Sequence, residues 1–144
     1  MTLLDAPIYD PAKARRRKIA IAVSIVFVIL LAVLAWMYRN WPEEHAVDKF
    51  FAALQNHEYE TAYGIYFNDP AWLQHQQKYP QYTYADFYRD WGPGGEWGLV
   101  KSHKIYESAN TKEGVVVEVI VNERTEHARM FVQKSDKTLT VFPN

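Results

Sequence analysis

The sequence predicts an α+β domain carried behind a single membrane-spanning helix. Three observations predict it: an uncharged apolar run over residues 19–38, apolar residues at helical spacing between 43 and 91, and apolar alternation from residue 114 onward. With 144 residues the chain has room for one domain and an appendage, since domains usually run to roughly 100–150 residues.

The run from Ile19 to Tyr38, IAIAVSIVFVILLAVLAWMY, has Ser24 as its one polar interruption before the closing Trp and Tyr. Twenty helical residues at about 1.5 Å each span about 30 Å, the hydrocarbon thickness of a bilayer, with every backbone group bonded internally. The flanks agree. Arg15, Arg16, Arg17 and Lys18 end a basic cluster on one side, and Trp36, Tyr38 and Trp41 form an aromatic belt on the other. Such basic clusters stay in the cytoplasm. The expected layout is therefore a cytoplasmic tail (1–18), a transmembrane helix (19–38), a linker (39–42) and a periplasmic or otherwise extracytoplasmic domain (43–144), held in the inner (cytoplasmic) membrane. A cleaved signal peptide competes with this reading, because Val33-Leu34-Ala35 offers the small residues a signal peptidase accepts. Against it, the apolar run exceeds an ordinary signal core and no polar stretch precedes the cleavage point. A buried core helix this apolar would need a far larger protein around it, and a mitochondrial presequence would spread its basic residues along an amphipathic helix.

Charge separates the two parts. Residues 1–18 carry Lys13 with the four residues named above against Asp5 and Asp10, a net of +3, while the remainder holds the other 11 of 16 basic and 15 of 17 acidic groups. An acidic domain has no basic stripe to displace counterions from phosphates, which excludes nucleic acid as a partner. The chain lacks cysteine, so disulfides, thiolate metal sites and a lipidated cysteine are excluded.

After Pro42, suited to a first helical turn, Val47, Phe50, Phe51 and Leu54 recur at three- and four-residue steps, with Glu43 and Glu44 at the favourable end of the helix dipole. A second helix is expected at Tyr59–Phe67, with Tyr59, Ala62, Tyr63 and Tyr66 on one side. Asn68-Asp69-Pro70 reads as the start of a third, capped by Asp69, carrying Trp72 and Leu73 and stopping before Pro80. Thr83-Tyr-Ala-Asp86 resembles a capping box opening a helix through Trp91, and Gly92-Pro93-Gly94-Gly95 makes a loop. Strands follow at Trp97–Glu107, Gly114–Glu123 and His127–Lys134. A turn at Arg124-Thr125 pairs Val121 with Ala128, Val119 with Met130 and Val117 with Val132. A turn at Asp136-Lys137 sets Val132 opposite Val141 and Phe131 opposite Phe142.

Helices first and an antiparallel meander last is an α+β order with helices on one face of a curved sheet. The segments AVDKFFAALQNHEYETAYGIY (46–66) and GLVKSHKIYE…GVVVEVIVNE…ARMFVQKSDKTLTVF (98–142) resemble the nuclear transport factor 2-like superfamily, a cone-shaped α+β module often tethered to bacterial membranes. The resemblance covers essentially all of residues 43–144. It implies a range of roles, from isomerases and dehydratases to transport adaptors and secretion-system subunits, so function rests on the site. It also implies that a catalytic member would place a carboxylate or His, helped by Tyr, inside the cone. The residues available for that are Asp86, Asp90, His103, Tyr63, Tyr66 and Tyr88. Asp86 fits a cap better and Asp90 a solvated helix end, so neither is an evident base. His45, His57, His75, His103 and His127 show no pair at helical ligand spacing, and no metal or cofactor is expected.

Two further surfaces stand out. Aromatic residues crowd 59–97, and Tyr63, Trp72, Tyr88, Trp91 and Trp97 are candidates for the wall of a small apolar-ligand pocket, or for an ordinary core. With the valine face of the sheet turned inward, Val116, Glu118, Ile120, Arg129, Phe131 and Phe142 fall on the other face. There Ile120 should oppose Arg129 and Glu118 oppose Phe131, which leaves the two charges diagonal. An apolar patch with an ion pair set into it suits a partner surface. The expected role is non-enzymatic: a membrane-anchored interaction module, forming a homodimer or joining a membrane complex. The alternative is a binder of a small apolar ligand, with or without isomerase- or dehydratase-like chemistry.

Overall fold

The computed structural model describes residues 10–142; the first nine residues of the basic tail and the last two of the domain lie outside the described residues. The chain divides into two units, residues 1–39 and residues 40–144.

In the first unit, helix α1 runs from Pro11 to Met37. Asp10 caps it, accepting from the Ala12 and Lys13 N–H groups at 2.9 and 3.3 Å, and Pro11 takes the first turn. The segment expected as a tail is therefore helical from residue 11, and Lys13–Lys18 ride on the same helix as the apolar run. The Ser24 hydroxyl donates to the Ala20 carbonyl at 2.8 Å, so the one polar side chain inside the run is satisfied within the helix. None of α1's residues is buried, and the helix is long and apolar enough to cross a membrane. The expected four-residue linker reduces to three residues, 38–40, before the next helix begins.

The second unit is α+β. It contains α2 (Trp41–Gln55), α3 (Tyr59–Tyr66), two single 3-10 turns (Trp72–Gln74 and Gln76–Lys78) and α4 (Tyr84–Trp91). These precede strands β1 (His103–Asn110), β2 (Gly114–Val121), β3 (His127–Gln133) and β4 (Leu139–Val141), which form one open antiparallel sheet in sequence order. The apolar stripe of α2 (Val47, Phe50, Phe51, Leu54) is buried together with the inner face of the sheet (Val115, Val117, Val119, Val121, Ala128, Met130, Val132, Leu139). Full burial of one such side chain is worth about 1.5–3 kcal/mol, so this layer dominates the stability of the unit. α4 opens with the capping box the sequence signals: Thr83 Oγ1 accepts from the Asp86 N–H, and Asp86 Oδ2 accepts from the Thr83 N–H at 3.1 Å. In the following loop Gly95 is required sterically, since a Cβ there would lie 1.9 Å from the Asp90 carbonyl oxygen.

α2 is tied to β1 by a polar stripe on a second helical face. Asn40 bonds Ser108 and Asn110, Glu44 accepts from Ser108, and Asp48 and Gln55 bond the two ring nitrogens of His103, each at 3.0 Å. Glu43, placed by sequence at the helix dipole, is the one buried charged residue described. It forms an ion pair with Lys137 from the β3–β4 turn.

Three sequence expectations change. No α-helix forms between Asn68-Asp69-Pro70 and Pro80. Asp69 Oδ2 accepts instead from the Tyr79 hydroxyl at 2.7 Å and contacts His75 Nε2 and Lys78 Nζ, so the carboxylate that would have capped a helix staples two short turns. These bonds, that from Tyr79 foremost, push its pKa down to about 2. The first strand starts at His103, not Trp97. Gly98 has φ +62°, and the Asn122 side chain takes the ladder's place, accepting from the Lys101 N–H at 2.7 Å and donating to the Leu99 carbonyl at 2.8 Å.

Both hairpin registers also sit two residues from the expected ones. Val119 faces Ala128, Val117 faces Met130 and Val115 faces Val132, while Val132 faces Leu139 and Phe131 faces Thr140. Within the connections Asn122, Glu123 and Lys137 take left-handed conformations, and the Arg124 N–H closes a tight turn on the Val121 carbonyl at 3.0 Å. A shift of two preserves the parity of every side chain, so the inner face remains as read.

Candidate functional site

The outer face of the sheet collects all six residues expected there. Val116, Glu118 and Ile120 come from β2, and Arg129 and Phe131 from β3. Phe142 follows β4, its N–H donating to the Arg129 carbonyl at 2.9 Å. The observed register corrects their arrangement. Glu118 lies directly across from Arg129, Val116 across from Phe131, and Ile120 across from His127. Arg129 Nε donates to Glu118 Oε1 at 2.7 Å, and His127 Nδ1 stands 3.4 Å from Glu118 Oε2. The hydrogen bond from Arg129, followed by that from His127, holds the Glu118 carboxyl below its ordinary range even though partial burial opposes ionisation.

Aromatic rings frame this pair. Phe131 and Phe142 have centroids 6.3 Å apart, and the Phe131 ring lies over Gly114, where a Cβ would meet its Cζ at 2.5 Å. On the other side Tyr106 is exposed with its ring 4.5 Å from His127, at a register irregularity between Ile105 and Glu107. His127 shares the parity of Arg129 and Phe131 along β3. Tyr106 was not legible, because a bulge leaves no mark in an alternation pattern.

The five pocket candidates do not converge. Tyr63, Trp72, Trp91 and Trp97 are buried within the core, whereas Tyr88 is exposed and packs on Tyr59 at 5.0 Å. Tyr63 meets Trp72 at 4.7 Å and its hydroxyl donates to the Tyr82 carbonyl at 2.8 Å. Trp91 sits edge-on to Phe50 at 5.0 Å, and the Arg124 guanidinium lies 5.5 Å from the Trp97 ring. Trp72 borders a groove of about 420 Å³ between α2 and α3, while Trp91 and Trp97 border a separate one of about 380 Å³ beside the glycine loop.

The carboxylate and histidine candidates are each engaged in structural bonds. Asp86 holds the cap and pairs with Arg89 at 3.0 Å, the Thr83 bonds lowering its pKa. Asp90 accepts from Arg89 Nε at 3.0 Å and from the Tyr82 hydroxyl at 3.1 Å, and burial, then the Asp90 charge, raises the Tyr82 pKa strongly. His103 clamps α2 to β1, and burial raises the pKa of Tyr63 and Tyr66. Among the described residues no group of three or more His, Asp or Glu side chains is placed to hold a metal ion.

Compared with known proteins, the chain matches no family model, no curated protein and no solved structure.

Proposed function

We propose that this is a single-pass protein of the inner membrane, N-terminus in the cytoplasm, whose second unit is a non-enzymatic assembly module on the extracytoplasmic side. We further read that module as a short cone of the nuclear transport factor 2-like kind, a reading supported by helices preceding an antiparallel meander and packed on one face of it. The observation that carries the assembly role is the Glu118–Arg129 pair set among Val116, Ile120, Phe131 and Phe142 on the sheet face opposite the one packed into the core. Both charge signs lie side by side on one patch, so a two-fold axis would bring each carboxylate toward the other copy's guanidinium. A second copy of this chain is therefore the partner that fits best. The ligand-pocket reading is weaker, because four of its five rings fill the core. Catalysis is weaker still, because Asp86, Asp90 and His103 are held by structural partners.

Ile120→Glu combined with Phe131→Glu tests the module. Both side chains are only partly buried, so the domain should remain folded by circular dichroism while the detergent-extracted protein falls from dimer to monomer by native mass spectrometry. An unchanged assembly size rejects the face as an interface, and a heteromeric complex lost in the double variant reassigns it to another subunit. Membrane topology is tested separately: a C-terminal tag should be accessible from outside the cytoplasm, and a mature chain beginning at Trp36 would reject the anchor.

A further inference from the structure

The sheet has one long free edge. β1 lies at its margin and runs eight residues from His103 to Asn110, while the opposite margin is the three-residue β4. Two rungs just outside the strands fix the phase of the β1–β2 ladder: the Asn122 N–H donates to the Ser102 carbonyl and the Thr111 N–H to the Gly114 carbonyl, each at 2.9 Å. The even-numbered residues of β2 therefore turn their backbone groups toward β1. Their partners there are Lys104 opposite Ile120, Glu107 opposite Glu118 and Ala109 opposite Val116. Alternation then points the backbone N–H and C=O groups of His103, Ile105, Ser108 and Asn110 away from the sheet. Among the described residues, the bonds these four make to α2 and to Lys134 all run through side chains, which leaves the outward backbone groups open.

The bulge at Tyr106 gives this edge a pattern of its own. Tyr106 is the extra residue between Ile105, opposite Val119, and Glu107, opposite Glu118, so the outward positions 103, 105, 108 and 110 are spaced two, three and two residues apart. That spacing reads the same from either end. An ordinary strand presents outward groups at every second residue, and laid along β1 it falls out of phase at the bulge. A second β1 turned end for end carries its own bulge at the matching place. All four positions then meet, His103 with Asn110 and Ile105 with Ser108. Bulges and lysines guard edge strands against chance pairing, and here both admit a strand that carries the same bulge. The side chains agree. On the outer face Lys104 falls beside Ala109 of the second copy and Tyr106 beside its Glu107, so no like charges oppose each other, and Lys104 reaches that Glu107 on the diagonal. All four of these residues are exposed.

We propose that β1 is a second self-association site, pairing edge to edge with the β1 of another copy about a two-fold axis. The contact is separate from the outer-face interface and does not depend on it. With one self-complementary surface on the face of the sheet and another at its edge, the module extends beyond a closed pair. Four rung positions a side fall well short of the roughly 1,200 Å² of a standing interface, so the edge contact is transient in dilute detergent and is read by trapping.

The chain has no cysteine, so introduced pairs report without background. In the two-fold arrangement residues 104 and 109 of opposite copies form a non-hydrogen-bonded pair with Cα atoms about 4.5 Å apart, inside the range for a disulfide. Residue 104 lies about 17 Å along the strand from residue 104 of the second copy, and 109 is as far from its own counterpart. The full chain in detergent, carrying Lys104→Cys and Ala109→Cys together, should therefore form disulfide-linked dimers on mild oxidation about ten-fold faster than either single variant. Both positions are exposed, and circular dichroism checks the fold. The linkage should persist when Ile120→Glu and Phe131→Glu are added, which separates the edge from the face. Equal linking by the single variants, no linking by the pair, or linking lost on adding the face substitutions overturns the edge contact.

Discussion

Helices α1 and α2 follow one another in the chain and are both rich in apolar residues, yet they use them in opposite ways. α1 buries none of its 27 residues, and its apolar side chains point outward on every side; α2 confines its own to one stripe, where Val47, Phe50, Phe51 and Leu54 are almost wholly enclosed. An all-round apolar helix needs an apolar solvent, whereas a striped one needs a protein partner along one side and tolerates water elsewhere. α2 even divides its remaining surface, presenting Asn40, Glu44, Asp48 and Gln55 to β1 and His45, Ala46 and Lys49 to the groove.

Substitutions can break that contrast from either side. The largest effect is expected for Phe50→Ala, at a residue with no solvent exposure that touches Phe51, Tyr66, Phe87 and Trp91. It should cost about 3–5 kcal/mol and lower the melting temperature of the domain by some tens of degrees, without moving the chain out of the membrane fraction. Val28→Arg, in the middle of α1, should do the reverse. It adds roughly 2.5–3.5 kcal/mol to the cost of insertion and releases chain from carbonate-washed membranes, while the domain's melting temperature stays the same. A change in domain melting on Val28→Arg would show that the two units are not independent.

The smallest effect sharpens the comparison through pH. Asp69 has a folded-state pKa of about 2 against an ordinary 3.8, so it binds protons less readily folded than unfolded. Its contribution is complete above the ordinary value and is lost as pH falls toward 2. Domain melting should therefore drop between about pH 4 and pH 2, less steeply in Asp69→Asn, while membrane retention through α1 stays flat. An equal slope in the variant would remove Asp69 from the account.

Much of the fold was legible because it depends on local periodicity. The stripe of α2, the Thr83/Asp86 capping box and the inward face of β2 each follow from spacing within a few residues. The outer-face candidates survived for the same reason: an even register error leaves parity untouched, so Glu118 and Arg129 stayed on one face although their pairing was read as diagonal. The rest involves residues far apart in sequence or backbone conformations without a residue signature. Glu43 meets Lys137 across 94 positions, and Asp48 meets His103 across 55. Asp69 left its expected cap for Tyr79 because the backbone after it turned into 3-10 geometry. Asn122 satisfies the backbone of residues 99–102 from a left-handed position that nothing in an alternating strand announces.

What the amino-acid order determined by itself is which surfaces of each element are apolar: every side of α1 from Ile19 onward, one stripe of α2, and alternate residues of β2 and β3. That is a property of side-chain direction along a helix or strand and needs no partner to define it. Tertiary structure alone decided which of those surfaces meet, the exact opposition of Glu118 and Arg129, and the groove left between α2 and α3. Those depend on loop lengths and on positive φ angles, which set how far one element slides along another.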